Sequence, residues 1–367
     1  MLGIAVLLLV GALGGCAAVP GDRTAASTAL FYPPLPNAPR IQHLATFTGE
    51  RDVNGPEGAF TKFIVGEATK TQVLKQPYGV AMFDGKLYVA DSRAPGLAIF
   101  DFRQRRFSLV SGGGNGRMKR PINVTIDADG TKYVADTGRD QVLVYDREDR
   151  FVSAYGAEKQ FKPVDTAILG DKLYVVDVAH HLVQVLDKRS GNLLFKFGKA
   201  GSGTSDLFQP TNIAVGPNGD VYVVDTGNFR VQQFTAEGAH VRVYGTVGSE
   251  PGKFARPKGI AVDRAGRLYI GDAAFENIQV FDRTGRLLLY FGQPGGNAEG
   301  LNLPAGVAID YDNVEFFRRY ADPNFAIEYL IVVASQFGPN KVDVFGFGKM
   351  RGMQYSGDDS AAVRQLN

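Results

Sequence analysis

The chain has no tryptophan, one cysteine and four histidines among its 367 residues. A single cysteine excludes an internal disulfide, a C-x-x-C-H haem attachment and a cysteine-held iron–sulfur cluster. No G-x-S-x-G stretch occurs, so the nucleophile elbow of the α/β-hydrolases is missing too. Charge of one sign is also scarce. Lys and Arg number 40 against 38 Asp and Glu, and a net +2 gives no general attraction to nucleic acid. The abundant residues are of another kind: 45 Gly, 25 Phe and 15 Tyr, with 44% of the chain hydrophobic. Turn formers combined with aromatics favour an all-β chain with a large core.

One pattern returns six times, at roughly 41–48 residue intervals, the range of propeller blades. Each unit opens on a proline and a short β stretch: PYGVAM, PINVTI, PVDTAI, PTNIAV, PKGIAV and PAGVAI, starting at Pro77, Pro121, Pro163, Pro210, Pro257 and Pro304. A turn and a second strand follow, as in DGKLYVAD and NGDVYVVD, then a third strand such as LAIFD or NIQVFD. Most units close on a fourth strand and a glycine, as in HVRVYG. Four short apolar strands cannot bury both faces alone, whereas radial stacking of such sheets buries them and limits exposed edges. The sixth unit lacks a convincing fourth strand after KVDVFGFG, and RIQHLATFTG (40–49) resembles the missing piece. The expected fold is all-β: a six-bladed β-propeller of four-stranded blades, about 24 strands in all. Its last blade is completed by an N-terminal strand. The propeller is expected over 40–349, with a loose polar tail over 350–367.

The units resemble NHL repeats, in segments such as GDVYVVDTGNFRVQQF (219–234) and GRLYIGDAAFENIQVF (266–281). The stretches FARPKGIAVD, DAAFENIQVFD and LPAGVAID are similar to those of bacterial six-bladed NHL-type lipoproteins, often found with multihaem cytochromes. That resemblance implies an envelope partner, such as a multihaem cytochrome. The N-terminus agrees with it. Leu2 to Leu13 is an apolar run of signal-peptide length, too short to span a bilayer comfortably. It ends in Leu13-Gly14-Gly15-Cys16, which resembles a lipobox, although no Lys or Arg precedes the run. The reading is a signal peptide over 1–15, a lipidated Cys16 anchoring the exported protein in the envelope, and a flexible tether over 16–39. Ala17 after the cysteine points to the outer membrane by the family's sorting rule. An ordinary signal peptide with an incidental cysteine is the alternative.

His180 and His181 look at first like metal ligands or a proton donor. Aligned on the repeat, VVDVAHHLVQV (175–185) matches VVDTGNFRVQQ (224–234), so the pair occupies the loop slot of Asn228 and Phe229. The expectation is scaffold. Asp91, Asp136, Asp177, Asp225 and Asp272 end the second strands. Recurring by symmetry, they are expected to accept hydrogen bonds from loop backbone or pair with Arg139 or Arg230.

Positions that break the symmetry carry the functional candidates. Just inside the innermost strands, three blades have Gly79, Gly259 and Gly306, where the others have Asn123, Asp165 and Asn212. These three oxygen-bearing side chains could converge at the channel mouth and hold Ca²⁺ or Mg²⁺. Lactonases of the gluconolactonase kind hold a metal in such a place, but with more acidic ligands. Strand-end capping and water binding is the other reading. The loops leading to the innermost strands are basic, with Arg117, Lys119, Arg120, Lys253, Arg256 and Lys258 among them. They share one face and would steer an anionic partner. An insertion over 313–325, NVEFFRRYADPNF, mixes Phe316, Phe317 and Tyr320 with Arg318 and Arg319. It could be a contact surface, plug the channel, or brace blade six against the closing strand.

Two functions stand. The leading one is a binding or scaffolding lipoprotein without catalysis. The competing one is a Ca²⁺- or Mg²⁺-dependent lactonase-like hydrolase or lyase working at the channel mouth.

Overall fold

The computed structural model describes residues 29–54, 72–295 and 300–355. Cys16, the signal segment and the end of the tail lie outside them. Among the described residues, twenty-five strands form six antiparallel sheets arranged as a ring of blades. The innermost strands are Pro77–Phe83, Pro121–Ile126, Pro163–Leu169, Pro210–Val215, Pro257–Val262 and Pro304–Asp310, one for each of blades 1 to 6. Among the described residues no helix is long and apolar enough to cross a membrane.

Ring closure follows the sequence expectation. Ile41–Phe47 pairs antiparallel with Val342–Met350 as the fourth strand of blade 6, so its first and last strands come from opposite ends of the fold. Two findings go beyond that expectation. Within the segment read as tether, Phe31–Tyr32 adds a fifth strand to blade 6. It is held there by ring contacts, Phe31 to Phe325 at 5.7 Å and Tyr32 to Phe291 at 5.9 Å. Within the segment read as a loose tail, Tyr355 is fixed. Its hydroxyl donates to the Pro39 carbonyl (2.8 Å) and accepts from the Met350 N–H (2.7 Å).

The core is six apolar seams, one between each pair of neighbouring blades. The second strands of the first five blades sit deepest, because both of their faces are covered, and apart from terminal Lys and Asp residues their sequences are accordingly apolar. Each carries a tyrosine in register: Tyr88, Tyr133, Tyr174, Tyr222 and Tyr269. Some of these phenols reach the next blade, Tyr133 to Lys188 O (3.0 Å) and Tyr174 to Ala236 O (2.8 Å). A buried ring thus ends in a satisfied hydroxyl.

Every innermost strand begins with its proline, where no N–H is needed for the ladder. In all six blades the pairing register shifts immediately after that proline. Such a bulge re-aims the next side chains. Here it does so at one end of the channel, the end that carries the symmetry-breaking residues.

Candidate functional site

The loop face is assembled by the recurring aspartates. Asp136 accepts N–H bonds from Lys119 (2.7 Å) and Arg120 (2.9 Å) of the incoming loop, and from Gly138 (2.9 Å) and Arg139 (3.1 Å) of the next. Asp91 and Asp272 do the same in their blades. Asp225 adds Arg230 Nε at 2.8 Å. Each of these carboxylates is buried and staples two loops of one blade together. This is the scaffold role their periodicity suggested.

The histidine pair belongs to the same device. His180 Nδ1 lies 2.7 Å from Asp177 Oδ2, as Asn228 Nδ2 lies 2.8 Å from Asp225 Oδ2 one blade on. His181 has φ 57°, and its counterparts Asp140, Phe229 and Glu276 have 57°, 55° and 55°. The slot demands a left-handed turn, whatever side chain fills it. The His181 ring stacks on Phe208 (5.2 Å), and its Nδ1 accepts the Gln209 N–H (2.9 Å). Among the described residues no group of three or more His, Cys, Asp or Glu side chains could share a metal ion.

Asn123, Asp165 and Asn212 do come together at the channel, lining one cavity of about 420 Å³. Their polar atoms are already engaged. Asp165 Oδ1 accepts the Thr166 N–H (2.8 Å), while Oδ2 accepts the Ile213 N–H (3.0 Å) and Asn212 Nδ2 (3.2 Å). Asn212 therefore turns its nitrogen, not its oxygen, to the carboxylate. Its Oδ1 accepts from the Tyr78 hydroxyl at 3.4 Å, and Asn123 Oδ1 accepts the Val124 N–H at 2.9 Å. Burial raises the Asp165 carboxyl to about 7, against the lowering effect of its three N–H donors. One carboxylate, with amide oxygens that already accept bonds beside it, falls short of the oxygen ligand set a divalent cation takes.

Sequence reasoning missed the residue that shapes this end of the channel. Tyr78 of blade 1 is buried and spans to Asn212 of blade 4, opposite in the ring. It packs with Ile122 and Ala305, and burial raises its phenol well above the ordinary range. The signal was present: Tyr78 is the one aromatic among the residues following the six prolines. The glycines of the symmetry break make room for it. A β-carbon on Gly306 would collide with the Tyr78 carbonyl, and one on Gly79 with Asn123. The channel is closed at the loop face.

Lys258 belongs to the plug rather than to the exposed basic rim. Its ammonium is buried 5.0 Å over the Tyr78 ring and donates to Gln336 Oε1 at 3.1 Å. Burial, with Arg256 nearby, lowers its pKa to about 8. The other basic residues reach the surface. Arg117, Lys119, Arg120 and Arg256 are exposed, and half-buried Lys253 pairs with Glu250 (2.6 Å). Arg117 and Lys119 border a surface cleft of about 740 Å³ that also holds Arg139 and Glu158. The same face exposes aromatics that the sequence pattern did not single out: Phe208 (43%), Phe229 (37%) and Phe337 (48%).

The 313–325 insertion lies at the opposite end and acts as a brace. Phe317 is fully buried, 6.1 Å from Phe47 of the closing strand and 5.1 Å from Phe102 of blade 1. Asn313 Oδ1 accepts the Gly85 N–H of blade 1 (2.7 Å). Phe317 is thus unavailable to a partner, and Phe316 is half-buried against Phe102. Arg318, Arg319 and Tyr320 remain exposed.

Comparison with known proteins adds one sequence match: the NHL repeat family matches residues 209–234, which form most of blade 4. The chain is a six-bladed β-propeller carrying an NHL repeat. No curated protein matches it. Solved structures similar to this propeller include a gluconolactonase from Xanthomonas campestris, with TM-score 0.54 and 16% identity over 83% of this chain and 98% of that one. An auxiliary nutrient binding protein from Bacteroides ovatus is similar at TM-score 0.56 and 14% identity, over 84% and 76% of the two chains. Virginiamycin B lyase from Staphylococcus aureus gives 0.52 and 12%, over 74% and 95%. At such identities the likeness is one of fold, which lactonase, lyase and binding protein share.

Proposed function

We propose that this propeller is a protein-binding module of the bacterial cell envelope that holds its partner on the loop face. The observation that carries the reading is the combination on that face. The channel is plugged by Tyr78, while Phe208, Phe229 and Phe337 stand exposed on the same side as Arg117, Arg120 and Arg256. Exposed aromatics with arginine are the residue types that dominate binding hot spots, and the surplus cations favour a partner with an acidic patch. The lipobox-like Leu13-Gly14-Gly15-Cys16 supports attachment to the outer membrane through a lipidated Cys16. The sequence resemblance to envelope lipoproteins that accompany multihaem cytochromes makes such a cytochrome the partner to test first.

The test is cross-linking in intact envelopes followed by purification of the propeller. Arg120→Glu with Arg256→Glu, and Phe208→Ala with Phe229→Ala, are expected to reduce partner recovery by about tenfold or more. Arg318→Glu with Arg319→Glu, on the opposite face, serves as the control and leaves recovery unchanged. Equal recovery in all variants overturns the assignment of the face. Cys16→Ala is expected to move the protein from the membrane to the soluble fraction.

A further inference from the structure

The channel is a blind pocket, and its open end is not at the loops. In all six innermost strands the residues farthest from the proline are partly exposed, whereas the proline itself is buried. Solvent therefore reaches the cavity from the face opposite the loops, and Tyr78 closes its far end. The residues that line the cavity come from the innermost strands. Near the opening they are aliphatic: Met82, Ile126, Ile168, Val215, Val262 and Ile309. At the closed end lie Asp165 and its two asparagines. A cavity of about 420 Å³, lined mostly by aliphatic side chains with its polar side chains grouped towards one end, has the size of a small-molecule site.

Asp165 defines what the closed end would recognise. Its hydrogen-bond donors are two backbone N–H groups and one carboxamide, all neutral. No described Lys, Arg or His lies within ion-pair distance of it. A buried carboxylate without a countercharge is costly, and its ionised form is stabilised by any cation that reaches it. The raised carboxyl pKa, about 7, reflects the same lack of compensation. The side chains of the wall beyond it are aliphatic apart from Thr125 and Thr166, whose hydroxyls bond to each other and to the Thr166 carbonyl. We propose that the channel binds a small molecule with an apolar body and a protonated amine head, which enters from the face opposite the loops and pairs with Asp165.

The probes are n-hexylammonium, n-hexanol and n-hexanoate, each titrated calorimetrically into the full-length protein at about pH 8, where the carboxyl is mostly ionised. The ammonium is expected to bind about tenfold tighter than the alcohol, since a charge-assisted bond to a carboxylate exceeds a neutral one by that order. The carboxylate probe is expected to bind weakest. Asp165→Asn removes the preference for the ammonium and retains the alcohol. Should that variant fail to fold, Ala308→Phe narrows the open end and is expected to weaken ammonium and alcohol alike. Equal binding of the three probes, heat from none of them, a preference that survives Asp165→Asn, or binding untouched by Ala308→Phe would each overturn the proposal. None of these outcomes bears on partner recovery at the loop face.

Discussion

The Tyr78 hydroxyl meets the Asn212 carboxamide oxygen across the channel, at 3.4 Å, and so joins blade 1 to blade 4 directly. Neighbouring blades hold each other through apolar seams, but this contact links opposite sides of the ring. It makes Tyr78 a structural member as well as a stopper.

Tyr78→Phe keeps the ring and loses one long hydrogen bond, so a cost of about 1 kcal/mol or less is expected. Tyr78→Ala leaves a hole beside Ile122 and Ala305 and opens the channel from end to end, with an expected cost of about 3–5 kcal/mol. Denaturant unfolding of both variants measures the difference. Equal losses would assign the role to the hydroxyl and not to the packing of the ring.

Asp165 imposes a pH dependence whose sign is fixed. Its carboxyl is raised from 3.8 to about 7, so between these values the folded protein keeps a proton that the unfolded chain has released. Stability from this group is therefore greatest below about pH 4, falls as pH rises towards 7, and is level above that. Asp165→Asn removes the slope. The variant is expected to gain on the parent by at most about 1.4 kcal/mol per pH unit within that window. Unfolding both proteins at about pH 4.5 and 7 checks it; a gap that does not change with pH would show that Asp165 ionises freely in the fold.

His181 is held in the left-handed region by its slot and not by any ligand. His181→Asn, which tolerates that conformation, is expected to change stability by less than about 1 kcal/mol, whereas His181→Val adds a β-branch at φ 57° and should cost about 1–3 kcal/mol. Added Zn²⁺ is expected to leave the melting temperatures of parent and variant unchanged. A Zn²⁺-dependent rise lost on substitution would count against the scaffold role.

The features legible in the sequence are those that repeat. Blade number, the closing strand, the aspartate staples and the histidine slot all recur at a fixed spacing, and a period is visible without coordinates. Contacts across the ring leave no such trace. Tyr78 and Asn212 are 134 residues apart and meet only because the ring closes. Charge normally marks surface, which places Lys258 with the basic rim; the Tyr78 face and Gln336 give its stem and ammonium a buried place instead. The insertion's sequence leaves contact surface, plug and brace open for Phe317, and its burial between blade 6 and blade 1 decides for the brace. Phe208, Phe229 and Phe337 occupy different loops and share no sequence pattern, and only the fold gathers them on one side.

The closing strand also fixes the order of assembly. The His43 side chain lies 3.2 Å from that of Asp343 on the neighbouring strand of blade 6, 300 positions away in the chain. Ile41–Phe47 is synthesised first, and the edge it turns to blade 6 must wait unpaired until Val342–Met350 has been made. Joining ends so far apart carries a large loop-closure cost, so sealing the ring is expected to come late in folding. A nascent or clipped chain that stops short of residue 342 keeps both a bare strand and an open seam. Blade 6 thereby acts as a check on the completeness of the whole polypeptide.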